Sequence, residues 1–275
     1  FNRSDILRTF QLFHQIGDIR EGRIINAGKF RTISGYFDDA GVMTDAVVGF
    51  ADEPFRAYYF TINPVRRDLF ARSANKFTKY AKETTADADI IERRWLPIDL
   101  DPIRPAGISS NEEEHAAAIQ KVMDIREWLI SKGWPAGAFI LADSGNGGHL
   151  AVKISLPNDE AARELVKRFL ETLDAAFSDD EVKVDTTTYN AARIWKIYGT
   201  TARKGSDTND RPHRLAKILD APDEMVTVSR EQIEDLAAIK AAPKGQRAEK
   251  GHTDFDPRQY AEAHGATVAK VKSGW

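Results

Sequence analysis

Three short segments of the chain hold residues that could do chemistry: Trp95–Asp101, Ser144–His149 and Val184–Ile194. Successive side chains of a β-strand point to opposite faces, so Asp99 and Asp101 share the face opposite to Leu100. The two carboxylates then lie about 7 Å apart, and their repulsion costs roughly 2 kcal/mol at an effective dielectric constant of about 20. A bound cation would reverse the sign of that energy.

The other two segments add to the same polar face. After the glycines, His149 and Lys153 fall in the row opposite to the apolar row that begins at Leu150. In the third segment Val184 points inward and Asp185 outward. Three carboxylates and one histidine on one face of a sheet suit divalent metal ions that hold a nucleotide triphosphate.

Composition restricts the class of protein. The chain has 275 residues, 42% of them hydrophobic, which is enough for one large domain or for one domain with appendages. It has no cysteine, which excludes a disulfide framework and any cysteine-ligated zinc, so no zinc is expected. No apolar run approaches 18 residues and no leader is visible, so we expect no membrane association and a cytoplasmic location.

Charge is distributed unevenly, although the formal net charge is only −3. One stretch is strongly basic and would attract phosphate. Its cations are Arg193, Lys196, Arg203, Lys204, Arg211, Arg214 and Lys217. A second basic stretch, over 66–79, is equally well interpreted as a solvated helix face.

Apolar periodicity predicts mixed α and β structure. The predicted elements are a helix over 4–15, strands over 30–37 and 56–62, and helices over 111–132 and 159–177. Ser110 and Glu113 form a capping-box pattern before the first long helix, and Asn158 is the expected cap of the second.

The order of these elements predicts an α/β (α+β) fold built on an RRM-like palm sheet, with helices on one face and an open catalytic face on the other. The predicted domains are an N-terminal α/β subdomain over 1–92 and the palm over 93–225. Residues 226–275 are expected to form a helical piece, a linker and the start of a truncated C-terminal element.

With these motifs the chain resembles the archaeo-eukaryotic primase (AEP) superfamily, in the primase-polymerase (PrimPol) branch of bacteria, phages and plasmids. The likeness covers roughly residues 56–219 and is most distinctive from Arg193 to Gly205. It rests on the acidic pair Asp99 and Asp101, the turn Ser144–His149, and Asp185 followed by Asn190, Arg193, Gly199 and Thr200.

The resemblance implies a DNA primase or polymerase that transfers nucleotides on a DNA template. Asp99, Asp101 and Asp185 would be catalytic and would hold two Mg²⁺ or Mn²⁺ ions. Amides of the glycine turn would form an anion nest. The implied nucleotide-binding residues are His149, Arg193, Lys204, Arg203, Ser144, Asn146 and Gly147.

The implied partners are a single-stranded DNA template and primer, NTP or dNTP substrates, and a helicase or an additional C-terminal domain. One alternative of a different class stays open: a catalytically idle RRM-like module that binds nucleic acid or nucleotide in a replication or defence complex. Three acids in register on an exposed face favour catalysis, because an idle binder would gain from basic residues there.

Overall fold

The computed structural model describes residues 1–25, 28–53, 55 and 57–239. Its helices are α1 (Arg3–Phe13), α2 (Ala40–Val48), α3 (Glu112–Ser131), α4 (Glu160–Phe177) and α5 (Arg230–Ala237). Its strands are β1 (Arg20–Ile25), β2 (Ile33–Phe37), β3 (Ala57–Thr61), β4 (Glu92–Pro102), β5 (Phe139–Asp143), β6 (Gly148–Pro157), β7 (Val182–Val184), β8 (Ile194–Lys196), β9 (Thr201–Ala202), β10 (Arg214–Leu215) and β11 (Lys217–Asp220). None of the described helices is long and apolar enough to cross a membrane.

The larger sheet has five strands in the order β11-β5-β6-β4-β7, and all neighbouring pairs are antiparallel. α3 and α4 pack on one face of it, where Leu96, Ile98 and Leu100 of β4 are fully buried. Burial of this row fixes the register of β4, because a slip by one residue would turn the apolar side chains out. The predicted α/β fold with two long helices on one face is confirmed.

A second layer covers part of the opposite face. It consists of the sheet β2-β1-β3-β8 with α1 and α2. Trp95 and Ala151, which lie in the same rows as Asp99 and His149, are buried in the core of this layer. The polar face is therefore more enclosed than the sequence predicts, and the part that holds Asp99 and His149 borders a cavity between the two sheets.

The caps of the two long helices lie one residue later than predicted. Asn111 caps α3, and its side chain forms the capping box with Glu114 instead of Ser110 with Glu113. Ser110 is buried, and its N–H donates to Asn146 Oδ1 in the glycine turn. α4 is capped by Asp159, because the amide of Asn158 donates to backbone carbonyl groups near residue 90.

The predicted division of the chain at residues 92 and 225 stays a prediction. The three hydrophobic core clusters of the described part lie in one compact unit of the chain. α5 lies in the segment where a helical piece is expected. The linker and the C-terminal element expected after it fall outside the described residues.

Candidate active site

Three of the predicted site residues, Asp99, His149 and Asp185, lie in one row across the larger sheet. Asp99 of β4 is opposite His149 of β6, and the His149 Nε2 atom lies 3.3 Å from Asp99 Oδ1. On the other side of β4, the Asp185 N–H donates to the Asp99 carbonyl over 2.8 Å. Residues opposite each other on neighbouring strands share a face, so the backbone brings the three together.

A cavity of about 240 Å³ opens at this row. It is lined by seven of the residues predicted from the sequence: Asp99, Asp101, Ser144, Asn146, His149, Arg203 and Lys204. Five further residues complete its lining: Ile25, Ala57, Tyr59, Lys196 and Ala202. The lining therefore combines two carboxylates with three cationic side chains.

Asp101 is held by an arginine from the loop that follows its own strand. Arg104 Nη2 lies 3.1 Å from Asp101 Oδ1, and the same guanidinium donates to the carbonyl groups of Pro102 and Ile108. The Asp101 side chain is 49% exposed, against 25% for Asp99. Arg104 thus balances charge at the acidic pair and fixes the loop beside it.

Asp185 and Arg193 lie beside the cavity and are not among its lining residues. Asp185 Oδ1 accepts hydrogen bonds from the N–H of Thr187, over 2.8 Å, and from its hydroxyl, over 2.7 Å. The carboxylate thereby caps the short 3₁₀ helix Thr186–Tyr189. The Arg193 guanidinium donates to the carbonyl and hydroxyl of the same Thr187.

The donor chemistry of the acidic pair fits a hard divalent cation, since Mg²⁺ and Mn²⁺ prefer carboxylate oxygens and usually take only one or two from the protein. Asp99 and Asp101 are two such donors on one cavity wall. Across the described residues, however, no three His, Asp or Glu side chains are grouped closely enough to hold a metal ion. The Asp185 carboxylate is directed to its own helix instead.

The glycine turn does not form the expected anion nest. The N–H groups of Asn146 and Gly147 donate to Ser144 Oγ, and that of Gly145 donates to Asp143 Oδ1. These three N–H groups therefore already have hydrogen-bond acceptors in the side chains of residues 143 and 144. Gly147 is required for packing, because a Cβ atom there would lie 2.1 Å from the Leu100 carbonyl oxygen.

Lys196 is a site residue that the sequence reasoning placed only in a charge run. It is 3% exposed, its Nζ makes a long hydrogen bond of 3.4 Å to the Thr201 carbonyl, and the same atom lies 5.9 Å from the centroid of the Tyr59 ring. Burial, and after it the charges of Arg203 and Lys204, lower the pKa of Lys196 to about 7. The signal in the sequence was its position inside the apolar run Ile194–Tyr198.

Other cations of the basic stretch have structural partners. Arg211 forms a two-pronged pair with Glu114, and Arg214 pairs with Glu112, so both tie the stretch to the first turn of α3. Arg203 Nη1 donates to the Phe55 carbonyl over 3.3 Å. Of the stretch, Arg211 and Arg214 are therefore held by α3, and Lys196, Arg203 and Lys204 line the cavity.

The imidazole of His149 is enclosed by two aromatic residues that the sequence reasoning missed. Trp195 stacks on it with ring centroids 3.9 Å apart. The Tyr198 hydroxyl lies 3.1 Å from His149 Nδ1, and Trp195 Nε1 donates to the same hydroxyl over 2.8 Å. The ring is therefore fixed with Nδ1 away from the cavity and Nε2 toward Asp99.

No protein-family model matches the chain, and no curated protein matches it. Among solved structures, the AEP domain of the primase-polymerase (PrimPol) of cyanophage S-2L is similar, with a TM-score of 0.50 and 16% sequence identity. That match covers 86% of this chain and 98% of the phage domain. The primase RepB′ matches with a TM-score of 0.48 and 10% identity, over 85% of this chain and 61% of its own.

The chain therefore has the fold of an archaeo-eukaryotic primase domain of the primase-polymerase type. This confirms, at the level of the fold, the resemblance that is based on the sequence motifs. Sequence identity of 16% carries no residue roles across, so the roles are argued below from the site itself.

Proposed function

We propose that this chain is a DNA-templated nucleotidyltransferase, a primase-polymerase that synthesises or extends primers on single-stranded DNA by two-metal-ion catalysis. The observation that carries the proposal is the cavity in which Asp99, Asp101 and His149 face a buried lysine, on a fold shared with a primase-polymerase domain. A metal–nucleotide complex needs this combination, because carboxylates bind the cation and cationic side chains bind the phosphates.

Asp99 and Asp101 are the residues proposed to hold the metal ions, with Asp185 as the third ligand. Bound Mg²⁺ or Mn²⁺ would lower the pKa of the primer 3′-hydroxyl and neutralise charge on the reacting phosphate. For Asp185 to take part, its carboxylate must exchange the bonds to Thr187 for one to the ion. Asp185 starts from a suitable place, because its backbone is bonded to that of Asp99.

The triphosphate is proposed to lie along the cationic wall of the cavity. Lys196 and Lys204 would act as point charges there, and Arg203 as a planar fork. His149 would donate a hydrogen bond to a phosphate oxygen, and Arg193 would bind phosphate from beside the cavity. Ser144, Asn146 and Gly147 would shape the wall, because the polar groups described for the turn bond within it or to Ser110, which precedes α3.

The nucleic-acid strand is proposed to follow a second, more open cavity of about 480 Å³. This cavity shares Asp101 and Lys204 with the first and continues along the loop 102–108 to Lys183. A primer end bound there would bring its 3′-hydroxyl to the acidic pair. Its phosphates would lie close to Lys183 and Lys204. A helicase or an additional C-terminal domain remains a proposed partner.

The alternative is a catalytically idle module that binds nucleic acid or nucleotide. Such a module would bind polyanions through the same lysines, but the acidic pair would weaken its binding by repulsion. The placement of Asp99 and Asp101 at the cavity wall therefore favours the enzyme.

A primer-extension assay tests the proposal. Full-length protein is incubated with labelled dNTPs or NTPs, Mg²⁺ or Mn²⁺, and single-stranded DNA with or without a primer. We expect incorporation, and we expect the substitution Asp99→Asn to lower it about 100-fold, since loss of one preorganised charge-stabilising group typically costs 10² to 10³ in kcat.

The matched control is Asp124→Asn, an exposed aspartate on α3 that bonds to Gln120 and lies on the far side of the sheet. This variant should incorporate nucleotide as well as the wild type. If wild type and Asp99→Asn incorporate equally little while both shift DNA in a gel, the idle-module alternative is correct.

A further inference from the structure

The surroundings of His149 determine which of its two ring nitrogens carries the proton. Trp195 Nε1 is only ever a donor, so its hydrogen bond of 2.8 Å occupies a lone pair of the Tyr198 oxygen. Among the described residues, the other polar contact of that oxygen is the 3.1 Å approach to His149 Nδ1. The indole N–H of Trp195 therefore donates to the Tyr198 oxygen, and the Tyr198 hydroxyl donates to the imidazole of His149.

Tyr198 has to donate its own hydrogen. The residue is fully buried, and burial raises the pKa of Tyr198 well above its usual value, so the hydroxyl keeps its proton. Across the described residues, His149 Nδ1 is the acceptor that this hydroxyl reaches. A buried hydroxyl without an acceptor is destabilising, by about 1 to 3 kcal/mol for an unsatisfied polar group.

We propose that Trp195 and Tyr198 are positioning residues that lock His149 in the neutral tautomer with the proton on Nε2. The imidazole then presents a fixed N–H donor to the cavity, at the atom that lies 3.3 Å from Asp99 Oδ1. The opposite tautomer would direct a lone pair at that carboxylate and leave the Tyr198 hydrogen facing the N–H on Nδ1.

This lock has a consequence that rests on the proposed function. A neutral donor can bind an anionic phosphate oxygen without a positive charge next to the acidic pair, so it does not compete with a divalent ion for Asp99. Stacking of Trp195 on the imidazole holds Nε2 in the same orientation whether or not a ligand is bound. The chemical class recognised at this atom is an oxyanion of the bound nucleotide.

Nitrogen-15 NMR of the histidine rings tests the lock directly, in full-length protein free of metal and nucleotide. The signals of residue 149 are assigned as those missing from a His149→Gln variant. We expect one tautomer, with the proton on Nε2 and with Nδ1 shifted as a nitrogen that accepts a hydrogen bond. A wild-type ring protonated on Nδ1, on both nitrogens, or present as a tautomer mixture would overturn the proposal.

The variant Tyr198→Phe removes the donor but keeps the ring. We expect its Nδ1 signal to move to that of a free lone pair, and its dissociation constant for a dNTP to rise about two- to fivefold, because a smaller fraction of rings presents the donor. Tyr58→Phe, which loses a buried hydroxyl bond to the Phe50 carbonyl, is the matched control and should change neither.

An Nδ1 signal that does not move in Tyr198→Phe would show that the phenol does not hold the ring. If Tyr198→Phe does not fold, the wild-type spectrum alone decides the tautomer. The spectra need no polymerase activity. A protein that shows the expected tautomer but incorporates no nucleotide supports this inference and contradicts the proposed function. A protein that incorporates nucleotide but shows another tautomer contradicts this inference and leaves the proposed function in place.

Discussion

At the scale of single residues, Lys196 is the most unusual group in the cavity. Its ammonium is buried and has no carboxylate within ion-pair distance among the described residues. With a pKa of about 7 it is mostly neutral at pH 8.5 before a ligand binds. A polyphosphate would favour the charged form and raise this pKa, so binding should take up a proton, and affinity should fall as the pH rises above 7.

Titration calorimetry with tripolyphosphate in two buffers of different ionisation enthalpy measures this uptake. At pH 8.5 we expect the wild type to take up more protons than Lys196→Met, by a difference approaching one, and at pH 6 we expect no difference. Lys204→Met should still take up protons through Lys196, but fewer than the wild type, because loss of the Lys204 charge raises the pKa of Lys196. Equal uptake by wild type and Lys196→Met at pH 8.5 would show that the lysine does not meet the phosphates.

At the scale of elements, the glycine turn and the end of β4 fit together by close backbone contact. A Cβ atom at Gly147 would lie 2.1 Å from the Leu100 carbonyl oxygen, so the turn or the strand would have to move. We expect Gly147→Ala to destabilise the protein by about 1 to 3 kcal/mol, the usual cost of overpacking. Urea unfolding measures this difference, and primer extension should fall with it because Asp99 and Asp101 flank Leu100.

Gly49→Ala is the matched control for this element. Its Cβ would lie 3.4 Å or more from its neighbours, and its backbone conformation is right-handed, so alanine fits there. We expect a change between zero and a gain of about 1 kcal/mol, from the lower entropy of the unfolded chain. Equal stability of the two variants would mean that the turn is not packed as described.

At the scale of the whole molecule, the proposed function assigns the nucleotide to the first cavity and the nucleic-acid strand to the second. Lys183 borders the second cavity and does not line the first. We expect Lys183→Glu to weaken binding of single-stranded DNA and to lower the slope of log affinity against log salt by about 0.7 or more, the value for one lost contact. The dNTP dissociation constant should stay the same.

Lys132→Glu is the control for the second cavity. Lys132 follows α3 on the helix-covered side of the sheet, and its ammonium lies near the ring of Trp128. Lys132→Glu changes the net charge by the same amount as Lys183→Glu. The dependence of its DNA affinity on salt should nevertheless equal that of the wild type. If both variants weaken DNA binding alike, the strand follows overall charge and not this cavity.

The sequence predicted the features that depend on the regular backbone of one segment. Alternation along β4 placed Leu100 in the core and Asp99 and Asp101 on the other face, because the period of a strand is fixed by its geometry. The same holds for His149 at the start of β6 and for the apolar stripes of α3 and α4. Exact helix starts were less well predicted, since Ser110 and Asn158 bond to distant segments instead of capping.

Tertiary structure alone decided what surrounds these side chains. The burial of Lys196 and the clamp of Trp195 and Tyr198 on His149 depend on which partners arrive from elsewhere in the fold. Hydrogen bonding and desolvation act over a few ångströms in space, and the residues that supply them lie tens of positions apart in the chain. The amino-acid order therefore set which groups could meet at the site, and packing of the two sheets set their charge, direction and access.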